Sequence, residues 1–497
     1  MIGYEFDGPV LDLGALLVDG EPSPGDQIRI PLRMLNRHGL VAGATGTGKT
    51  VTLQVLAEQL SAQGVPVFLA DVKGDLSGMA SPGESSDKLL GRTKGIGQDW
   101  KPAACPVEFY SLGGLGEGVP LRATITAFGP TLLAKVLGLN ETQESSLGLV
   151  FHFADSQGLP LLDLKDLRAV IQYLIDNPEA LRGVGGLSKQ TAGVILRTLV
   201  NFEAQGAEQF FGEPEFETAD LLRVLPDGRG VVSMLELPSV QDRPALFSTF
   251  LMWLLADLFQ ELPEVGDPDK PRLVFFFDEA HLLFNDASKA FLQAITQTVR
   301  LIRSKGVGVF FVTQTPKDVP ADVLAQLGAR VQHALRAFTP QDAKALKATV
   351  STFPRSGYDL EEVLTQLGIG EAVVTVLGDK GVPTPVAWTR LRAPQSRMGP
   401  TDPVAMRGLI AQSPLMAKYG QSVDRQSAYE LLAARVVERQ PAPQAPAAPP
   451  PAAERQEPGV LEGILGSSVF RSFARSAASA FGREISRAIF GTARRRR

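Results

Sequence analysis

Short apolar runs alternate with amphipathic segments through most of the chain. The runs are rich in Val, Phe and Leu, and they occupy residues 39–42, 65–70, 107–112, 230–237, 273–278, 307–313 and 330–336. Between them, apolar residues recur at helical spacing, as in residues 287–304. Because short buried strands that alternate with helices form parallel sheets covered on both faces, the pattern predicts an α/β fold with a mostly parallel central sheet. Residues 371–377 and 385–391 flank a Gly-Asp-Lys-Gly turn and predict a β-hairpin.

The hydrophobic pattern also divides the chain into segments. Residues 123–209 have helical periodicity, so we expect a helical subdomain, with bounds 123–225, inserted into a strand-rich core. After the core, the composition shifts to a helical segment, then to a Pro/Ala-rich stretch that cannot build a core, and then to a basic amphipathic tail. The expected boundaries are 1–122 and 226–395 for the core, 396–439 for the helical extension, 440–458 for the linker and 459–497 for the tail.

The composition of the 497-residue chain narrows the classes of function. A single cysteine, Cys105, excludes a disulfide framework and a multi-thiolate zinc site within the chain, and four histidines argue against a histidine-rich metal site. The net charge of −5 argues against a uniformly basic surface for binding nucleic acid. The segment after residue 458, however, contains eight arginines and only two glutamates. This basic tail is typical of a segment that binds nucleic acid, an acidic protein or a membrane surface, or that only aids solubility.

The sequence shows no export signal and no membrane span. The first residues lack a basic stretch followed by an apolar run. The most apolar helical segment, residues 245–256, is too short to cross about 30 Å of hydrocarbon. We therefore expect a cytoplasmic protein without a transmembrane segment.

Residues 43–50 match the phosphate-binding pattern G-x-x-x-x-G-K-[ST]. Glycines in such a loop let backbone N–H groups turn inward around phosphate oxygens, and the N-terminus of the following helix adds its dipole. Lys49 is expected to reach the β- and γ-phosphates of ATP, and the Thr50 hydroxyl is expected to ligate Mg²⁺. The residues assigned to nucleotide binding are Gly43, Ala44, Thr45, Gly46, Thr47, Gly48, Lys49 and Thr50.

An acidic pair follows the apolar run that ends at Phe277. Asp278 is expected beside the metal, and Glu279 is expected to polarise the attacking water. Two carboxylates at the carboxyl end of a strand, next to a phosphate loop, are typical of an enzyme that hydrolyses its nucleotide. Residues 278–281 also spell the Asp-Glu-Ala-His motif of a helicase superfamily, but the other motifs of that superfamily do not follow. We therefore interpret His281 as a structural residue.

A third apolar run ends in a polar amide, Gln314, which could contact the γ-phosphate or the lytic water. Arg303 precedes this run on a predicted helix, and in a ring of subunits it could reach the neighbour's nucleotide as an arginine finger. Arg300 is a rival on the same helix, and Arg330 and Arg336 are weaker candidates. The alternative for Arg303 is a solvated arginine that interacts favourably with the helix dipole.

Three charged residues follow the second apolar run, at Asp71, Lys73 and Asp75. They could line the nucleotide site or a pore, or they could be solvated loop residues. The sequence leaves these two interpretations open.

Taken together, these motifs resemble the HerA/FtsK group of P-loop ATPases. The resemblance covers roughly residues 25–395, and it rests on the phosphate loop, on Phe-Phe-Phe-Asp-Glu-Ala-His at 275–281, on Val-Phe-Phe-Val-Thr-Gln at 309–314 and on Arg-Ser-Lys-Gly at 303–306. Residues 65–80 are similar to a poorly characterised HerA-like branch of bacterial proteins. The resemblance implies a RecA-like fold, a hexameric ring, ATP and Mg²⁺ as cofactors, and DNA as the polymer. It also implies nucleotide-site roles for Lys49, Thr50, Asp278, Glu279, Gln314 and Arg303.

Three functions are compatible with these observations. The first is an ATP-driven, helicase-like DNA translocase that works as a homo-oligomeric ring. The second is an ATPase that acts as an assembly or regulatory switch, with a protein partner docked on the helical insertion or on the basic tail. The third is a nucleotide-binding protein without turnover.

Overall fold

The computed structural model describes residues 3–284, 289–378 and 380–438. Its strands are β1 (Val10–Val18), β2 (Glu21–Pro31), β3 (Gly39–Ala42), β4 (Val67–Asp71), β5 (Val107–Leu112), β6 (Val119–Leu121), β7 (Val232–Glu236), β8 (Leu273–Phe277), β9 (Val307–Thr313), β10 (Ala329–Gln332), β11 (Glu371–Thr375) and β12 (Ala387–Leu391). Its α-helices are α1 (Lys49–Ala62), α2 (Asp87–Gly95), α3 (Ile125–Val136), α4 (Glu141–Ser156), α5 (Leu164–Asp176), α6 (Lys189–Ala204), α7 (Ala207–Phe210), α8 (Pro244–Glu261), α9 (His281–Phe284), α10 (Lys289–Ile302), α11 (Ala321–Leu324), α12 (Pro340–Val350), α13 (Leu360–Gln366), α14 (Pro403–Gln412), α15 (Pro414–Tyr419) and α16 (Ala428–Glu438). The predicted linker (440–458) and basic tail (459–497) lie outside the described residues.

Within those ranges, the twelve strands form one sheet in the order β2-β1-β12-β11-β10-β3-β9-β8-β4-β7-β5-β6. The strands from β10 to β6 are mutually parallel, whereas β11, β12, β1 and β2 are joined by antiparallel pairing. The predicted mostly parallel α/β sheet is therefore confirmed. The predicted hairpin is also confirmed, because β11 and β12 pair antiparallel with Val373 opposite Trp388.

Successive residues of each central strand pack into different hydrophobic cores. In β8, Phe275 and Phe277 belong to one core, while Val274 and Phe276 belong to the other. Side chains alternate across a pleated strand, so a strand that is apolar at every position must be covered on both faces. This explains why the Phe-rich runs are continuous rather than alternating, and why their aromatic rings are core residues, as the sequence predicts.

Helices α3 to α7, at residues 125–210, form what we call the insertion, between β6 and β7. Its apolar side chains, such as Leu147, Ile171 and Leu199, belong to the same core as Phe275 of the sheet. Trp253 of α8 lies in this core and is 1% exposed. The insertion therefore shares one continuous apolar interior with one face of the sheet.

The chain after β12 connects the sheet, α1 and the insertion. Its first part, residues 392–401, is called the strap here. The Glu58 carboxylate of α1 accepts hydrogen bonds from the strap amides of Gln395 and Ser396, both at 2.8 Å. Trp100 Nε1 donates to the Pro394 carbonyl at 2.6 Å. After the strap, α14 contacts β5, α15 contacts β6, and α16 packs against α5 of the insertion.

Among the described residues, none of the helices combines the length and the apolar character that a bilayer crossing needs.

Tyr419 fastens α15 to the segment that follows the insertion. Its hydroxyl donates to Asp220 at 2.5 Å and accepts from the Glu217 amide at 3.1 Å, and its ring is fully buried. We predict that Tyr419→Phe lowers the free energy of unfolding by about 1–2 kcal/mol, because both partners lose a partly buried hydrogen bond. Urea unfolding monitored by circular dichroism measures this change, with Tyr173→Phe in the insertion as the control. An unfolding midpoint equal to that of the parent protein would contradict the prediction.

Candidate nucleotide site

The candidate site lies along one edge of the sheet, where the parallel strands end. Strands β3, β9, β8, β4 and β7 lie side by side in the sheet in that order. Their carboxyl ends therefore meet at the same edge, the usual position of ligand sites in open α/β sheets. β3 leads into the phosphate loop, and the other four strands deliver polar residues to the same edge. These residues are Gln314, Asp278, Glu279, Asp71 and Glu236.

The phosphate loop is held to the sheet by backbone hydrogen bonds. The Gly43 amide donates to the Thr313 carbonyl at 3.2 Å, and the Ala44 amide donates to the Ala334 carbonyl at 2.8 Å. Gly48 adopts a φ of 111°, a left-handed conformation that glycine tolerates, just before α1 begins. The loop thus leads directly into the N-terminus of a 14-residue helix, as the sequence predicts.

Side chains of the loop fold back onto its own backbone. Lys49 Nζ donates to the Ala44 carbonyl at 3.2 Å, and the Thr47 hydroxyl donates to the same oxygen at 2.7 Å. Burial lowers the pKa of Lys49, while the carboxylates of Glu279 and Asp278 act in the opposite direction. The Lys49 ammonium therefore interacts electrostatically with the acidic pair. Lys49 and the acidic pair lie at the same edge of the sheet.

A buried histidine packs against the phosphate loop. His333, directly after β10, is fully buried, and its Nε2 lies 2.9 Å from the hydroxyl of Thr52 on α1. A Cβ atom on Gly43 would come within 2.4 Å of the His333 Cβ, so the loop and this residue are in close contact. Burial, with a smaller contribution from Lys49, lowers the pKa of His333 to about 4, so its ring is neutral at pH 7.

The acidic pair sits at the end of β8. Asp278 is 5% exposed, and burial followed by repulsion from Glu279 raises its pKa to about 7. Its Oδ1 accepts a hydrogen bond from the Glu279 amide at 2.9 Å. Its Oδ2 is buried without a hydrogen-bond partner among the described residues. A buried carboxylate oxygen without a partner is suited to a cation or to water bound to one. The donor set therefore fits Mg²⁺ shared with Thr50, which lies in the first turn of α1.

Glu279 lies in a tight turn, with a φ of 47°. Its Oε1 forms an ion pair with Lys73 Nζ, and His281 Nδ1 lies 3.2 Å from its Oε2. The Ala280 amide donates to the Val312 carbonyl at 2.8 Å, which fixes the turn to β9. One of the two interpretations left open by the sequence is thereby favoured for Lys73: it lies at the nucleotide edge, in contact with the acidic pair.

Two further buried acids lie beside this pair. Burial, followed by repulsion from Asp71 and Asp75, raises the pKa of Glu236 to about 8. Burial and repulsion from Asp75 likewise raise the pKa of Asp71 to about 6. Across the described ranges, no group of three or more His, Cys, Asp or Glu side chains is arranged to hold a metal ion. Asp71 and Glu236 are buried acids at the edge of the site.

Gln314 and Arg303 occupy opposite ends of β9. Gln314 follows the strand directly, between the phosphate loop and the acidic pair, and its side chain is exposed. Arg303 precedes the strand, and its Nη2 lies 3.1 Å from Asp267 Oδ1. A single chain therefore does not bring Arg303 to its own phosphate loop. Of the weaker candidates, Arg330 donates to the Thr352 carbonyl at 3.3 Å, and Arg336 is exposed at the phosphate-loop edge.

Sequence reasoning missed Glu236 and His333. Glu236 ends an apolar run, and the same signal marks Asp278 after β8, so the pattern could have identified it. His333 carries no such signal, because its role depends on the parallel pairing of β10 with β3.

The chain matches known proteins over most of its length. The model of the family described as helicase HerA-like C-terminal matches residues 17–497. The chain is 24% identical over 366 residues to a probable helicase of Methanocaldococcus jannaschii, covering 69% of this chain and 64% of the relative. It is 22% identical over 352 residues to the DNA double-strand break repair helicase HerA of Sulfolobus acidocaldarius, covering 70% and 64%. These matches span slightly less than two thirds of those relatives.

A solved structure shows the same fold. The plasmid coupling protein TrwB, in complex with ADP and Mg²⁺, aligns with a TM-score of 0.52 and 18% identity, covering 79% of this chain and 97% of that chain. The predicted RecA-like P-loop fold is confirmed.

Replacing Glu236 tests the buried acids. The pKa of Glu236 is about 8 in the folded protein, above the ordinary value of 4.5. As the pH rises from 4.5 to 8, this carboxyl group ionises in the unfolded chain but stays protonated in the folded protein, so the free energy of unfolding decreases. We predict that Glu236→Gln is more stable than the parent by about 1–3 kcal/mol at pH 8, and that the difference nearly disappears at pH 4.5. Thermal unfolding without nucleotide measures both values. The exposed Glu84→Gln is the control, and a gain that is independent of pH would refute the assignment.

Proposed function

Since this chain belongs to the helicase HerA-like C-terminal family, we propose that it is an ATP-hydrolysing motor that translocates DNA as a ring of identical chains. The family consists of P-loop ATPases, which hydrolyse nucleoside triphosphates. The observation that carries the proposal is that the phosphate loop follows β3 and the acidic pair follows β8, at the same edge of the sheet and with one strand between them. A phosphate-binding lysine and an acidic pair in one place form the minimum arrangement for cleaving a terminal phosphate.

The residues at this edge have different roles in ATP hydrolysis. The amides of the phosphate loop and Lys49 bind the phosphates, and Gly46 leaves the loop open, since a Cβ atom there would meet nothing within 4 Å. Glu279 accepts a proton from the attacking water, and Gln314 orients that water or the terminal phosphate. Thr50 and the unpartnered oxygen of Asp278 would hold Mg²⁺, which neutralises phosphate charge.

The position of Arg303 supports action between chains. It lies at the end of β9 opposite Gln314, away from its own phosphate loop. Arg303 is 38% exposed as a side chain, and its partner Asp267 is 61% exposed, so the pair is accessible to a neighbouring chain. We propose that Arg303 reaches the nucleotide of the adjacent subunit, where an arginine stabilises the charge of the transition state.

DNA is the proposed polymer because of the relatives. The Sulfolobus acidocaldarius relative is named as a DNA double-strand break repair helicase. An ATPase that serves as a protein-assembly switch would use the same nucleotide edge, so the polymer dependence of turnover distinguishes the two functions.

Replacing Glu279 tests the catalytic assignment. We predict that Glu279→Gln lowers kcat by about 10²-fold or more, since general-base catalysis contributes on the order of 10²–10⁴-fold. Binding of ATP is retained, because Lys49 and the loop amides are unchanged. Steady-state hydrolysis and calorimetry measure the two properties, with Glu84→Gln as the matched control. Turnover at the parent rate would remove Glu279 from the mechanism.

The choice of polymer is tested by hydrolysis at low salt. We predict that single- or double-stranded DNA raises the ATPase rate, and that the stimulation declines steeply as salt increases, because phosphate contacts release counterions. If neither form of DNA changes the rate, the motor proposal fails. A rate that responds instead to a protein partner and not to salt would support the assembly switch.

Mixed subunits test whether sites are shared. Arg303→Ala and Glu279→Gln are each expected to be inactive alone, since each removes one half of a shared site. We predict that a mixture regains activity, because some interfaces combine an intact Glu279 with a neighbour's intact Arg303. Hydrolysis measured across mixing ratios reports this recovery. Activity of the Arg303→Ala protein at the parent rate would contradict the role of Arg303.

A further inference from the structure

An ion pair joins Lys73 to Glu279 at the nucleotide edge. Lys73 lies two residues beyond β4, whereas Glu279 follows β8, the adjacent parallel strand. Ala70 of β4 is in register with Phe277 of β8, so the turn after β4 passes beside the acidic pair. This register brings the ammonium of Lys73 to the carboxylate that the proposed function uses as its base.

The turn that carries Lys73 is held rigidly. Asp71 is completely buried, and its carboxylate accepts hydrogen bonds from the amides of Lys73 at 3.2 Å, Gly74 at 2.7 Å and Leu76 at 2.8 Å. Gly74 has a φ of 77°, which suits the tight turn. The buried carboxylate therefore fixes the backbone from which the Lys73 side chain extends.

The two partners differ in exposure. The Glu279 side chain is 7% exposed, whereas the Lys73 side chain is 48% exposed. The lysine thus reaches from solvent to one oxygen of a buried carboxylate. The other oxygen, Oε2, lies near His281 but forms no hydrogen bond among the described residues. The ion pair with Lys73 therefore sets the direction of this carboxylate, and it can be broken from the solvent side without opening the core.

We propose that Lys73 is a positioning residue that restrains Glu279 in a resting state and so limits turnover of the free enzyme. An ion pair with an ammonium group holds a carboxylate in one orientation, whereas a general base must be turned towards the water whose proton it accepts. Any anion that draws the half-exposed Lys73 away leaves Glu279 able to act as the base. This inference rests on the proposed role of Glu279 in ATP hydrolysis.

The opposite role for Lys73 predicts the opposite result. Lys73 and Lys49 are close enough to interact electrostatically, so the Lys73 ammonium could instead neutralise charge on the terminal phosphate. Loss of a transition-state cation lowers kcat by on the order of 10²-fold. The direction of the change in kcat therefore separates a restraint from a phosphate ligand.

The test measures ATP hydrolysis by the full chain without DNA. We expect Lys73→Ala and Lys73→Met to raise kcat by about 2- to 5-fold, the factor that corresponds to losing a partly exposed ion pair. KM for ATP is expected to stay within about 2-fold of the parent, because the phosphate loop is unchanged, and Lys73→Arg is expected to return kcat to the parent value. Lys317→Met is the matched control, since Lys317 is an exposed lysine after β9 on the same sheet edge.

The outcomes separate the inference from the proposed function. An unchanged or lower kcat in both Lys73→Ala and Lys73→Met, with ATP binding intact by calorimetry, overturns the restraint. The restraint is equally overturned if Lys73→Arg behaves like Lys73→Ala, since the charge would then be irrelevant. If Glu279→Gln hydrolyses ATP at the parent rate, the proposed function itself fails. If Glu279→Gln is inactive and the Lys73 variants keep the parent kcat, the proposed function is supported and the restraint by Lys73 is rejected.

Discussion

The nucleotide edge depends on the parallel alignment of four adjacent strands. β3, β9, β8 and β4 all run in the same direction, so the phosphate loop, Gln314, the acidic pair and Lys73 emerge at one edge although they are far apart in sequence. Lys49 and Glu279 are separated by 230 positions in the numbering, and no local interaction could bring them together. The burial of both faces of these strands holds the alignment, because a one-residue slip would exchange the residues of the two cores.

The hydrophobic pattern predicted nine of the twelve strands in the described residues, but not β1, β2 or β6. β3, β5 and β9 have the predicted bounds, and the phosphate loop lies between the predicted strand and helix. These elements are readable because each is a short apolar run bounded by glycine, proline or charged residues. The pattern also indicated that residues 123–225 are helical, and α3 to α7 occupy most of that range.

The contacts between strand ends could not be predicted in the same way. The ion pair of Lys73 with Glu279 depends on β4 lying next to β8, and strand order cannot be inferred from any local sequence pattern. The support of Gly43 by His333 likewise depends on β10 lying next to β3. Arg303 and Gln314 illustrate a simpler case, since one precedes β9 and the other follows it, and this single strand places them at opposite ends. Local patterns therefore identify the residues of the edge, whereas strand pairing decides which of them touch.

The shared interior of the insertion and the sheet limits how the molecule can move. Leu147, Ile171 and Leu199 lie in one apolar cluster with Phe275 and Trp253, so the helices and the strands share one apolar interior. Any rotation of the insertion relative to the sheet would expose apolar side chains to water. In the proposed ring, mechanical work is therefore better carried by whole subunits that shift against one another than by hinging of the insertion. Transfer of the insertion to another protein would therefore also require α8 and the apolar face of the sheet.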